Sequence, residues 1–171
     1  MVDQPSSSAL PGAVIAGVVP GQSPRVVREA ARYAALSRAE LIVAHVDTTR
    51  FVAFEDPDGY VDASSIDVAG AAARAALDDV RALVADALAG DDVAWSVRQL
   101  IGDPAMALIH LADEIDASLL VVGTRKRGLG ESLREFLTGS VAARLSHRQR
   151  RPVLVVPLGE PVGADDQLPW E

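Results

Sequence analysis

The sequence predicts a single α/β domain, a parallel sheet with helices on both faces. Three observations carry that prediction. A chain of 171 residues with 49% apolar and 23% charged side chains has the size and composition of one globular domain. Short, unbroken apolar runs recur along it, as expected of strands covered on both sides. Between those runs lie stretches with three- and four-residue apolar spacing, so strand and helix alternate five times.

Taken in order, Ala13–Val19 is the first apolar run and reads as a buried strand. Pro20-Gly21-Gln22-Ser23-Pro24 punctuates it, with Ser23 placed to cap a helix and Pro24 at its first turn. Val26, Val27, Ala30 and Ala34 then mark an amphipathic helix to about Arg38, and Leu41–Val46 is a second buried strand. Periodicity disappears from Asp47 to about Ser64, where Glu55-Asp56-Pro57-Asp58-Gly59 reads as a turn cluster within a long loop. Helical spacing resumes over 66–89, with Leu77, Val80, Val84 and Leu88 on one stripe and Gly90 as the stop. Val93–Arg98 alternates and suits an edge strand with one wetter face. Asp103 and Pro104 are a good N-cap and first residue for the next helix, whose buried side holds Met106, Ile109, Leu111 and Ile115. Ser118–Val122 is a fourth strand leading into Gly123; Phe136–His147 reads as a helix; Pro152–Pro157 is a fifth strand. Residues 1–11 and 160–171 read as tails, which leaves 12–159 as the domain.

Composition removes whole classes of function. With no cysteine there is no disulfide, thiolate metal site or thiol nucleophile. No apolar run approaches the ~20 residues of a membrane span, and the polar start MVDQPSSS does not read as a signal peptide, so a soluble cytoplasmic protein is expected. The net charge of −8 argues against nucleic-acid or membrane-surface binding. One positive block stands out: Arg125, Lys126, Arg127, Arg134, Arg144, Arg148, Arg150 and Arg151 face only Glu131 and Glu135 within residues 123–151.

Catalytic signatures are missing. There is no Gly-x-Ser-x-Gly elbow and no Walker loop, and Gly128 and Gly130 are followed by Leu133 where a dinucleotide fingerprint needs glycine. No histidine pair has metal-ligand spacing, and Asp56-Pro57-Asp58-Gly59 lacks the carboxylate ladder of a calcium loop. His45, inside an apolar strand, reads as a hydrogen-bonded core residue, and His110 with Asp113 as surface neighbours. Arg144, Arg148, Arg150 and Arg151 read chiefly as cations favouring the end of a helix dipole. What remains is an anion site. In parallel sheets ligands bind beyond the carboxyl ends of the strands. There Gly123 ends a strand, Gly139-Ser140 opens a helix, and Arg125, Lys126 and Arg127 lie on the loop between. Helix N-terminal N–H groups, a hydroxyl and arginines suit phosphate.

Two blocks resemble the universal stress protein family. Gly102-Asp103-Pro104-Ala105 through Ala112–Arg125 is similar to its third helix and fourth strand, and Gly139-Ser140-Val141-Ala142 through Arg151–Pro157 to its closing segment. The resemblance implies a Rossmann-like five-stranded sheet of order 3-2-1-4-5, homodimerisation through strand 152–157, and ATP binding in many members. It places Val46 against adenine and Gly123, Arg125, Gly139, Ser140 and Val141 around the phosphates. Slow ATP hydrolysis would follow by family analogy only; no catalytic residue and no metal ligand of the chain's own is expected. Two departures matter. Fifteen residues separate Gly123 from Gly139, where the nucleotide-binding pattern Gly-x2-Gly-x9-Gly-Ser has twelve, and Val19 (or Pro20, if shifted by one) stands where the resemblance implies an aspartate. The expectation is therefore a nucleotide-binding signalling module whose protein partner the sequence does not name. The alternative is a nucleotide-free homodimer, its cleft closed by Val19 and the longer loop.

Overall fold

The computed structural model describes residues 12–48, 63–124 and 140–159, with side chains between 63 and 69 excluded. The two terminal tails, the loop cluster at 55–59 and most of the loop between 47 and 64 lie outside the described residues. The elements are β1 (Val14–Val18), α1 (Arg25–Ser37), β2 (Leu41–Asp47), α2 (Ala63–Ala87), β3 (Trp95–Ile101), α3 (Pro104–Glu114), β4 (Leu119–Gly123), α4 (Val141–Arg148) and β5 (Val153–Val156). All pairings are parallel, in the order β3-β2-β1-β4-β5. Each connection therefore crosses over through a helix, as parallel strands require.

The period of two along each strand divides the core. Val14, Ala16, Val18, Leu41, Val43 and Val121 face α1 and α2, meeting Val26, Val27, Ala30, Ala34, Val80, Val84 and Leu88. Ile15, Ile42, Ala44, Leu120 and Val122 face α3 and α4, meeting Leu108, Ile109, Leu111 and Leu145. Both faces are dry, which explains why β1, β2 and β4 read as unbroken apolar runs and not as alternating ones.

Several boundaries differ from the sequence reading, among them the helix expected over 66–89, which runs Ala63–Ala87. β3 runs from Trp95 to Ile101, because its ladder with β2 pairs Leu41 with Trp95 and continues to Asp47 with Ile101. Ser23 is not the N-cap of α1: Pro24 holds that position without a side-chain cap, and the Ser23 hydroxyl is 3.4 Å from the Arg25 N–H. The last helix starts after Ser140, which has the extended backbone of an N-cap (φ −73°, ψ 140°); the start expected at Phe136 lies outside the described residues. A hydroxyl that accepts from the third N–H beyond it is a stronger start signal than apolar spacing alone.

Candidate functional site

The carboxyl end of the sheet gathers the termini that a ligand would meet. β1 leaves through Val19 into a turn whose Gly21 has φ +69°. The turn is closed twice by Gln22: its N–H donates to the Val19 carbonyl at 3.2 Å, and its side-chain Oε1 accepts from the Val19 N–H at 3.0 Å. Since only the oxygen of that amide can accept, its Nε2 is turned the other way, over Gly123.

Gly123 is needed for that contact. A Cβ there would lie 2.6 Å from Gln22 Nε2, 2.6 Å from Leu158 Cδ1 and 3.0 Å from Val26 Cγ2. The flank of Gly123 that faces α1 is thus filled by the chain's own side chains. Thr124 completes the seam between the exits of β4 and β5, its N–H donating to the Val156 carbonyl at 2.9 Å and its hydroxyl accepting from the Leu158 N–H at 2.8 Å.

Two of the expected ligand residues, Val46 and Val141, lie on the opposite face. Val46, next to last in β2, is half-buried against the α3–α4 core, and Val141, first in α4, packs on that same core. Ser140 caps α4, accepting from the Ala143 N–H at 3.1 Å. The first N–H groups of a helix have no intrahelical acceptor, so Ser140 and Val141 present donors at this end of the sheet. Val19, where nucleotide-binding relatives are expected to carry an acid, is 56% exposed. Arg125 and Gly139 lie outside the described residues, as do Lys126, Arg127, Gly128 and Gly130.

A charged pair sits between the N-termini of α3 and α4. Gly102, at φ +123°, turns the chain out of β3, and Asp103 caps α3 by accepting from the Met106 N–H at 3.0 Å. The same carboxylate takes both prongs of Arg144: Nη1 to Oδ2 at 2.5 Å and Nη2 to Oδ1 at 2.7 Å. The Arg144 guanidinium, with the Met106 N–H, outweighs partial burial and holds the Asp103 carboxyl below the usual carboxylate range, while Asp103 raises the pKa of Arg144. Arg144 is therefore mid-helix and paired, not a cation stationed at a helix C-terminus. Sequence reading identified Asp103 as a cap from Gly-Asp-Pro, but nothing in the sequence linked it to a residue 41 positions away.

Arg148, Arg150 and Arg151 lie at the amino end. Arg151 donates from Nε to the Ala117 carbonyl at 2.7 Å and from Nη1 to Asp113 at 2.6 Å, with Asp116 3.7 Å from Nη2. An open hollow of about 650 Å³ lies there, lined by Asp113, Asp116, Arg148, Arg151 and their neighbours. Its arginine–aspartate contacts are structural, and it is remote from the strand ends where parallel sheets take ligands. His45 is a core histidine as expected, 7% exposed, with Nδ1 3.3 Å from the Val18 carbonyl. Asp113 pairs with Arg151, so the expected His110 partnership gives way to a stronger one. No cluster of three metal-ligating side chains occurs among the described residues, and no described helix is long and apolar enough to cross a membrane.

Comparisons place this arrangement. The model of the universal stress protein family matches residues 14–157. Among solved structures, a universal stress protein in complex with cAMP is 29% identical, with 86% of this chain and 98% of that one covered and a TM-score of 0.60. A universal stress family protein from Burkholderia pseudomallei is 28% identical over 85% of this chain and 96% of its own, TM-score 0.56. A universal stress protein from Archaeoglobus fulgidus in complex with dAMP, at 20% identity, covers 85% and 97% with a TM-score of 0.53. Comparison with curated proteins finds no significant match.

Proposed function

The chain belongs to the universal stress protein family, and from that premise we propose that it is a cytoplasmic adenine-nucleotide-binding signalling module acting in the stress response, not a turnover enzyme. One observation carries the reading. Val46 and the Ser140–Val141 helix start, the positions that the family resemblance assigns to adenine and phosphate, lie on one face at the carboxyl end of the sheet. The cAMP complex of the 29% identical relative supports the ligand class. In this reading Val46 packs against the base, and the Ser140 hydroxyl and the N–H groups of Ser140 and Val141 meet phosphate oxygens. Arg125, Gly123 and Gly139 complete the phosphate loop. Bound phosphate would neutralise the cations of that loop, a change that a protein partner can read.

Calorimetry with ATP and with cAMP tests this. Saturable binding, one ligand per chain, is expected, and Ser140→Ala should weaken it by about tenfold, the loss of one charge-assisted hydrogen bond. A parent protein that takes up neither nucleotide at millimolar concentration ends the proposal.

A second reading has its own observation. Gln22 and Leu158 occupy the flank of Gly123, and Val155 is 40% exposed on edge strand β5. An edge strand with an apolar outer residue favours pairing with a second copy. The protein would then be a homodimer through residues 152–157 whose shared surface, with or without nucleotide, is the functional one. Val155→Asp should yield monomers by light scattering; an unaltered dimer mass removes β5 as the interface.

A further inference from the structure

We propose that Asp103 and Arg144 are a positioning pair that holds the first turn of α4 where a ligand phosphate can meet it; the inference rests on the nucleotide reading above. Among the described residues, the first turn of α4 is otherwise anchored only by the partly buried Val141 and Ala142, which pack on the α3–α4 core. α4 has eight residues, too short for intrinsic helical stability. Leu145 is its one fully buried residue. By contrast α3 buries Ala105, Leu108, Ile109, Leu111 and Ala112 against the sheet, so the N-cap of α3 is a rigid reference point.

Asp103 is that N-cap, and its carboxylate is oriented twice, by the Met106 N–H and by the Arg144 fork. A bidentate guanidinium–carboxylate contact restrains angle as well as distance. Arg144 lies one helical turn beyond Ser140, and its N–H donates to the Ser140 carbonyl at 3.1 Å. A fixed Arg144 therefore fixes the turn that carries the Ser140 hydroxyl and the Val141 N–H. Because Asp103 neutralises Arg144, the pair offers a ligand little net charge. Its contribution is geometric: donors must point at the phosphate before it arrives for binding energy to be realised.

That distinction sets the sign of the test. Asp103→Asn keeps a good cap for α3 but breaks the charged fork. If Arg144 served phosphate directly by charge, freeing it would strengthen nucleotide binding. Positioning demands the reverse. Affinities for ATP and for adenosine are measured by calorimetry on the parent, Asp103→Asn, Arg144→Gln, the double variant and Arg144→Lys, each checked for native circular dichroism. Each single variant is expected to lose about tenfold in ATP affinity while adenosine binding changes by less than about twofold. The double variant should be no weaker than either single, the coupling expected of groups that act as a unit. Arg144→Lys, which keeps the charge without the fork, should fall between.

Tighter ATP binding in Asp103→Asn, unchanged affinity, or equal losses for ATP and adenosine would each overturn the positioning role, the last by showing a merely structural one. A parent that binds neither ligand refutes the nucleotide reading and this inference with it. Should Asp103→Asn fail to fold, Arg144→Lys decides: ATP affinity equal to the parent's overturns the pair.

Discussion

Arg144 and Arg151 belong to the same short stretch of chain, yet they secure opposite ends of the sheet with different partners. Arg144, at the carboxyl end, meets a single carboxylate through both prongs, and that carboxylate is itself the N-cap of α3. Arg151, at the amino end, spreads its donors over the Ala117 carbonyl, Asp113 and Asp116. A spread set of partners tolerates small displacements, since each contact compensates for another. A two-pronged contact with one partner does not. In a parallel sheet the amino end is the side of stability and the carboxyl end the side of ligands, and the two arginines follow that division.

The severest way to break the contrast is to remove what both ends share. Leu145 is fully buried between them, in the α3–α4 core. Leu145→Ala is expected to lose about 2–5 kcal/mol, the cost of a large-to-small core substitution, read as a lowered urea midpoint with an unchanged slope. Nucleotide affinity should fall with it, because α4 loses its buried anchor. A variant that loses stability but binds like the parent would show that the clamp at Asp103 suffices to hold the helix.

Arg151→Ala isolates the amino end. Its side chain is 22% exposed, whereas those of Asp113 and Asp116 are 62% and 82% exposed, so the two ion pairs are worth little. The bond to the Ala117 carbonyl carries most of the effect, and about 1–2 kcal/mol of stability should be lost. ATP affinity should not move. If it does, the ends are coupled through α4 and the division of labour fails.

Much of this was legible in the residues and some was not, for identifiable reasons. Four apolar runs and one alternating stretch, separated by helical spacing, disclose a parallel sheet, because strands covered on both faces are apolar throughout. Gly102-Asp103-Pro104 announces a helix start by local chemistry alone, and the structure has one there. Val46 and Ser140 needed the family resemblance, since a valine ending a strand and a serine before a helix are common. The Asp103–Arg144 fork and the Gln22–Gly123–Leu158 packing were not legible at all. Both join segments that are distant in sequence: the fork forms where α3 and α4 share one core, and the Gln22 packing where β4 is laid beside β1. Gly123 shows the consequence most plainly. Expected at the phosphate, it is a glycine for which the packing of Gln22, Val26 and Leu158 is already reason enough.

The smallest expected effect sharpens the carboxyl end. The folded pKa of Asp103 lies below its ordinary value, first because Arg144 donates to it. A carboxylate with a depressed folded pKa binds protons more readily when unfolded, so the stability it contributes is present above the unfolded pKa and is lost as pH falls through the folded one. Arg144 stays charged across that range. The stability difference between the parent and Asp103→Asn should therefore be constant from neutral pH to about pH 5 and shrink below about pH 4, followed by urea unfolding at stepped pH. Partial exposure of both side chains keeps the effect modest, since solvent screens the pair. A difference that holds steady as the solution is acidified to about pH 2.5 would mean that the fork contributes nothing through its charge, and that Asp103 serves α3 as a cap alone.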